Sequence, residues 1–119
     1  MPARNPEDLG TLFQEAMRAG DLDAVMALYE PGAAFPDQSG EVRSGLDAIG
    51  QELAPFAAMK PDMTIEALKV VQAGDIALTH SSWRMTKPEP MSGRAIEIAR
   101  RQQDGTWLYI IDDPFTLSA

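Results

Sequence analysis

The spacing of apolar residues in this chain changes once, and that change sets its fold class. Up to Phe56, apolar side chains recur at intervals of three and four residues, which is typical of amphipathic helices. From Met63 onward they alternate with polar residues at a period of two, which is typical of half-buried strands. Helical segments followed by a run of strands predict an α+β fold in which the helices pack on one sheet.

Start and stop signals divide the helical part into three segments. Gly20 is placed to end the first, and Asp21 to cap the second. A third helix is predicted after an S-x-x-D capping pattern at Ser44 and Asp47, and we expect Pro55 to kink or end it. The apolar stripe of the second segment is Leu22, Val25, Met26 and Tyr29.

Turn signals divide the remainder into four long strands, and Asp104-Gly105 is the strongest hairpin signal among them. A short strand near residues 33–36 is expected to join the same sheet. The result is a cone of three N-terminal helices on a curved, mainly antiparallel sheet. The long strands are predicted at Met63–Gln72, Ile76–Thr86, Arg94–Gln103 and Thr106–Phe115.

Length and charge restrict the classes of function. The 119 residues are 45% apolar, which is enough for a single core, so we expect one domain over residues 1–119. The formal net charge is −8 and no run of Lys or Arg occurs. Nucleic acids and anionic membrane surfaces are therefore unfavourable partners, and we expect a small-molecule ligand or another protein.

Several residue types and segments are missing from the sequence. The absence of cysteine excludes disulfides, thiolate metal sites and cysteine nucleophiles, and a single histidine makes a metal site unfavourable. The first ten residues lack the apolar run of a signal peptide, and no stretch approaches the length of a membrane span. We therefore expect a cytoplasmic protein with no metal and no cofactor.

Alternation assigns the residues of the last three strands to two faces of the sheet. One set is rich in aromatic and β-branched residues, which predicts a homodimer interface. It comprises Ala77, Thr79, Ser81, Trp83, Ile96, Ile98, Trp107, Tyr109 and Ile111. The other set is mixed, and it is predicted to face a pocket under the helices. It includes His80, Ser82, Arg84, Glu97, Ala99, Ile110 and Asp112.

Two segments resemble a known superfamily. They are Ala19–Phe35, AGDLDAVMALYEPGAAF, with the loop Pro36–Gly45, PDQSGEVRSG, that follows it. Together they resemble the nuclear transport factor 2-like superfamily, which has the cone-shaped, cystatin-like fold of ketosteroid isomerase and the polyketide cyclase SnoaL. The closing segment Trp107–Phe115, WLYIIDDPF, is similar to the SnoaL-like branch. The resemblance extends over nearly the whole chain and implies a ligand pocket inside the cone.

The resemblance to ketosteroid isomerase also implies roles for three residues. Asp37 matches the catalytic base in type and context, and Glu97 falls on the second oxyanion donor with a longer side chain. Phe13 stands where the oxyanion tyrosine would be, and phenylalanine cannot donate a hydrogen bond. The departure at Phe13 argues against steroid isomerisation but not against acid–base chemistry in general.

The residues themselves leave alternatives open. A His80–Asp112 contact across neighbouring strands would orient the imidazole as a general base, but His80 is equally well explained as a structural histidine. Asp37 is also a favoured turn residue. Glu97 is also explained by a salt bridge to Arg84 or Arg101. Apolar pocket walls are expected from Met17 and Phe56 in the helices, with Phe13 beside them.

Two functions follow as hypotheses. The first is cofactor-independent acid–base catalysis, of isomerase, cyclase or hydrolase type, on a small apolar carbonyl compound. In it Asp37 or the His80–Asp112 pair moves a proton, while Arg84 or protonated Glu97 stabilises the oxyanion. The alternative is a non-catalytic ligand-binding or dimerisation module.

Overall fold

The computed structural model describes residues 2–118, with side chains described for residues 2–115. Three helices and six strands occur in this part of the chain. In order they are α1 (Asp8–Ala19), α2 (Leu22–Met26), β1 (Tyr29–Pro36), β2 (Val42–Ser44), α3 (Leu46–Ala58), β3 (Asp62–Ala73), β4 (Ile76–Lys87), β5 (Met91–Arg101) and β6 (Trp107–Ser118). This arrangement confirms the predicted α+β fold.

The strands form one sheet in the order β2-β1-β6-β5-β4-β3. Every neighbouring pair is antiparallel except β1 with β6, which is parallel. The four long strands agree with the predicted segments to within a few residues, because their turns carry Gly, Asp and Pro where the period-two pattern stops. The predicted short strand is longer than expected, since β1 already begins at Tyr29.

The predicted N-cap of α3 is wrong. Ser44 does not cap the helix, because it pairs with Ala34 in the β1–β2 hairpin, and Gly45 occupies the N-cap position with a φ of 88°. That left-handed conformation suits glycine. Pro55 lies inside α3 and does not end it, because the helix continues to Ala58.

The helices cover one face of the sheet and bury their apolar stripes against it. Leu9 and Met17 of α1, Val25 of α2 and Ile49 of α3 are at most 3% exposed. Burying each such side chain stabilises the fold by about 1.5–3 kcal/mol. Among the described residues, no helix is both long and apolar enough to cross a membrane.

The two faces of the sheet differ from the predicted ones. Trp107 and Tyr109 are 2% and 5% exposed, so they lie in the core and not on an open dimer surface, while Ile98 lies on the opposite face. An extra residue in β6 causes part of the difference: Ile98 pairs with Ile111 but Ala99 pairs with Tyr109. This β-bulge shifts the alternation of β6 by one residue, so Tyr109 and Asp112 face the same side.

Candidate active site

An apolar cavity of about 100 Å³ lies between the helices and the inner face of the sheet. Small side chains at Ser81 and Ala95 leave space that larger residues would fill. Its walls suit a small, largely apolar molecule with a few polar groups. The cavity is lined by Phe13, Met17, Phe35, Gln38, Glu52, Leu53, Phe56, Pro61, Met63, Ile65, Ser81, Trp83, Met85, Met91, Ala95, Glu97, Tyr109, Asp112, Pro114 and Phe115.

Two carboxyl groups face this cavity from neighbouring strands. Glu97 of β5 and Asp112 of β6 are directly paired in the antiparallel register, and they are 7% and 6% exposed. The Thr79 and Ser81 hydroxyls donate to Glu97 Oε1 at 2.5 and 2.9 Å. The Tyr29 hydroxyl donates to Asp112 Oδ2 at 2.5 Å. The second oxygen of each carboxyl has no hydrogen-bond donor among the described residues, so both oxygens are available to a ligand.

The surroundings of the pair keep a proton on it near neutral pH. Burial, together with the nearby charge of Glu97, raises the pKa of Asp112 to about 7, although the Tyr29 hydrogen bond acts in the opposite direction. Burial also raises the pKa of Glu97, while the hydrogen bonds from Thr79 and Ser81 and the charge of His80 lower it. Two carboxyl groups so close in a buried site do not both ionise readily. The pair can therefore act as acid and base together.

Tyr109 adds a hydroxyl to the same wall. Its side chain is 5% exposed, and its hydroxyl makes no hydrogen bond to any described residue although it lines the cavity. Burial raises the pKa of Tyr109 well above its usual value, and the charges of Glu97 and Asp112 raise it further. The hydroxyl thus stays protonated and can donate to a ligand oxygen.

Trp83 closes the cavity on the side of β6. Its indole lies over Gly93, whose missing side chain leaves room for the ring: a Cβ there would be 2.8 Å from Cζ2. The indole N–H donates to the Pro114 carbonyl at 2.7 Å, and the ring meets Phe115 edge-on at 6.0 Å. These contacts fix an aromatic wall beside the carboxyl pair.

Asp37 lies in the turn between β1 and β2, and it is not among the cavity-lining residues. Its Oδ1 accepts from the backbone and hydroxyl of Ser39 and from the backbone of Glu41, and its Oδ2 accepts from Arg43 Nε at 3.1 Å. The Ser39 hydroxyl, the backbone N–H groups and Arg43 hold the pKa of Asp37 below its usual value. These contacts favour the turn interpretation of Asp37.

The predicted contact between His80 and Asp112 is wrong. His80 pairs with Ile96 on the outer face, whereas Asp112 pairs with Glu97 on the inner face. The predicted salt bridge of Glu97 is also wrong, because its partners are hydroxyls and Arg101 instead binds Asp75 at 2.7 Å.

The other predicted pocket residues divide into two groups. Phe13, Met17, Phe56 and Glu97 line the cavity as expected. Four others do not line it: Ser82, Arg84, Ala99 and Ile110. Of these, Ala99 is nevertheless buried on the inner face of the sheet. The predictions for Ser82 and Arg84 are wrong because alternation assigned β4 to the wrong face. The prediction for Ile110 is wrong because it is the extra residue of the β6 bulge.

Sequence reasoning missed Tyr29 and Trp83 as site residues. Tyr29 fits the helical spacing of the second segment, so its place at the start of β1 had no local signal. Alternation along β4 places Trp83 on the predicted dimer face, whereas its side chain lines the cavity. Among residues 2–115, no group of three or more His, Asp or Glu side chains is placed to hold a metal ion.

The SnoaL-like domain family model matches residues 11–113. No curated protein sequence matches the chain. A solved structure from Thiobacillus denitrificans, provisionally described as a calcium/calmodulin-dependent protein kinase type II association domain, is similar with a TM-score of 0.79. It is 17% identical, with 98% of this chain and 99% of that chain covered.

Two further solved structures share the fold. A ketosteroid isomerase-like protein from Erwinia carotovora atroseptica has a TM-score of 0.74 at 19% identity, covering 90% of this chain and 89% of its own. A protein from Streptomyces avermitilis, provisionally described as a dehydratase of the nuclear transport factor 2-like family, has a TM-score of 0.74 at 18% identity. It covers 95% of this chain and 94% of its own. The chain belongs to the SnoaL-like domain family.

Proposed function

We propose that this protein catalyses proton transfer on a small, largely apolar carbonyl compound, and that Glu97 and Asp112 carry the proton. One observation supports this more than any other: Asp112, with a pKa of about 7, presents to an apolar cavity a carboxyl oxygen that has no hydrogen-bond donor among the described residues. A catalytic acid or base is most effective when its pKa lies near the working pH.

The carboxyl pair and Tyr109 have different roles in enolisation. The ionised carboxylate removes a proton from the carbon next to the carbonyl, and the protonated carboxyl and the Tyr109 hydroxyl donate to the developing oxyanion. Tyr109 thereby supplies the phenolic donor that Phe13 cannot. The aromatic and methionine walls hold the apolar remainder of the substrate and exclude bulk water.

Deuterium exchange tests the proposal directly. In D₂O the wild-type protein is expected to introduce deuterium next to the carbonyl of cyclohexanone, 2-butanone or acetophenone, followed by mass spectrometry. Asp112→Asn and Glu97→Gln should each lower the exchange rate by about 10²–10⁴-fold, the usual contribution of a positioned acid or base. Glu15→Gln, on the exposed side of α1, is the matched control.

The alternative function is ligand binding without turnover. It would be favoured if wild-type protein binds these ketones, seen as a change in tryptophan fluorescence, but exchanges no deuterium. In that case Asp112→Asn should alter affinity only modestly, because an amide retains an acceptor oxygen for Tyr29.

We also propose that the chain forms a homodimer through the outer face of the sheet. Val71, Leu78, Ile98 and Ile111 are paired in succession across β3, β4, β5 and β6, and they form what we call the outer apolar row. Val71 is 50% exposed and Ile111 39% exposed. A contiguous apolar surface of this kind favours association with a second copy.

A further inference from the structure

A second, more polar cavity of about 240 Å³ lies on the other side of the Glu97 side chain. It opens between the first turn of α1 and strand β3. Glu7, Asp8 and Thr11 line it on the helix side, and Ala67 lines it on the strand side. The volume is sufficient for several water molecules, and these polar side chains supply the hydrogen-bond partners that ordered water requires.

The two cavities meet at three polar side chains. Ser81, Glu97 and Tyr109 line both of them, whereas Asp112 lines only the apolar one. Glu97 Oε1 is held by Thr79 and Ser81, and Oε2 has no partner among the described residues. The Glu97 carboxyl can therefore contact water from the polar cavity while the apolar cavity holds a ligand.

We propose that the polar cavity delivers water to Glu97, so that the reaction of this site adds water to, or removes it from, an α,β-unsaturated carbonyl compound. The inference rests on the proposed acid–base function and narrows it. A pure isomerisation has no use for a second route for water. Asp112 lines only the apolar cavity, whereas Glu97 lines both. This arrangement suits a reaction in which water and an apolar carbonyl compound approach Glu97 from opposite sides.

Hydration of an enone illustrates the balance of atoms and electrons. Water from the polar cavity attacks the β-carbon, and its proton passes to the Glu97 carboxylate as the new C–O bond forms. The electrons of the carbon–carbon double bond move toward the carbonyl, where the Tyr109 hydroxyl stabilises the oxyanion. The carboxyl proton of Asp112 then passes to the α-carbon. Transfer of one proton from Glu97 to Asp112 restores the pair, and dehydration is the reverse sequence.

The test compares two reactions on matched variants. Hydration of cyclohex-2-enone is followed by loss of enone absorbance and by formation of 3-hydroxycyclohexanone, and deuterium exchange of cyclohexanone is followed beside it. Ala67→Leu and Thr11→Leu fill the polar cavity from its two sides, whereas Ala73→Leu places the same side chain on β3 outside both cavities.

Both filling variants are expected to hydrate cyclohex-2-enone at least tenfold more slowly than wild type. Their cyclohexanone exchange should stay within about twofold, because the carboxyl pair can exchange its proton through the empty apolar cavity between turnovers. Ala73→Leu should match wild type in both reactions, and circular dichroism confirms that each variant is folded.

Three outcomes overturn the inference. If the wild-type protein exchanges deuterium but does not hydrate the enone, the proposed function is supported and the inferred reaction with water is wrong. Equal hydration in wild type and in both folded filling variants shows that water arrives by another route. If the wild-type protein catalyses neither reaction, the proposed function and this inference are both wrong.

Discussion

The Tyr29 hydroxyl, at the start of β1, donates a 2.5 Å hydrogen bond to Asp112 of β6, across the parallel pairing of these strands. This contact joins the first strand of the chain to the last and fixes the carboxyl group at the cavity wall. It also favours the ionised form of Asp112, against the effect of burial.

Tyr29→Phe is therefore expected to raise the pKa of Asp112 above its value of about 7. The pH profile of ketone exchange should move upward by a similar amount, and the free energy of unfolding should fall by about 1–3 kcal/mol for the lost buried hydrogen bond. Carbon-13 NMR titration of the aspartate carboxyls measures the pKa. Tyr109→Phe is the matched control, because its hydroxyl does not bind Asp112; an equal shift in both variants would contradict the assignment.

The stability of the protein should fall between pH 5 and pH 7. A carboxyl whose pKa is raised from 3.8 to about 7 by folding binds its proton more tightly in the native state. The unfolded chain releases that proton first, so the free energy of unfolding decreases by up to about 1.4 kcal/mol per pH unit in this interval. Glu97, whose pKa is also raised, contributes in the same direction.

Asp112→Asn should reduce this decrease, because the amide does not titrate. Urea unfolding of wild type and variant at half-unit steps from pH 5 to pH 8 measures it. Working above pH 5 avoids the acid range in which Asp37 and Asp104, whose pKa values are lowered by hydrogen bonds, would lose their contribution. Parallel curves for wild type and variant would show that Asp112 is ionised throughout.

Asp37→Asn is expected to leave ketone exchange within about twofold of wild type. The asparagine can still accept from Ser39 and Glu41, although its contact with Arg43 loses the charge. Asp37→Ala removes these acceptors as well, so it should lower the melting temperature more than Asp37→Asn does. Loss of ketone exchange in a well-folded Asp37→Asn variant would instead identify Asp37, in the β1–β2 turn, as the catalytic base.

Part of this structure follows from the sequence pattern alone, and part does not. The period of the apolar residues was sufficient for the three helices and four long strands, because each period depends on local geometry alone. The cavity depended on pairing between strands distant in sequence. Glu97 lies beside Asp112 because of the register between β5 and β6. The bulge in β6 has no local sequence signal, since its extra residue is Ile110 and not Gly or Pro. Alternation also leaves the register between β4 and β5 open: Glu97 pairs with Thr79 and not with His80, so the predicted grouping of His80 with Asp112 is wrong.

Gly93→Ala is expected to disturb the aromatic wall of the cavity. The added Cβ would lie 2.8 Å from the Trp83 ring, which must then move away from Pro114 and Phe115. Overpacking of this kind costs about 1–3 kcal/mol. Urea unfolding, near-ultraviolet circular dichroism and ketone affinity measure the change. Gly32→Ala is the control, because no atom of the described residues lies within 4 Å of its added Cβ; identical behaviour of the two variants would contradict this packing.

Ile98→Lys should convert the proposed homodimer to a monomer. The lysine would stand at the centre of the outer apolar row, where a buried charge without a partner is costly. Trp107→Glu cannot serve this purpose: Trp107 is 2% exposed inside the core, so that change should unfold the chain.

Val42→Lys, at a residue 57% exposed on β2 and outside the row, is the matched control and should leave association unchanged. Sedimentation velocity at micromolar concentration distinguishes the two forms. A monomeric wild type would refute the proposed dimer. Dimers that persist in Ile98→Lys but dissociate in Val42→Lys would place the interface near the β1–β2 hairpin instead.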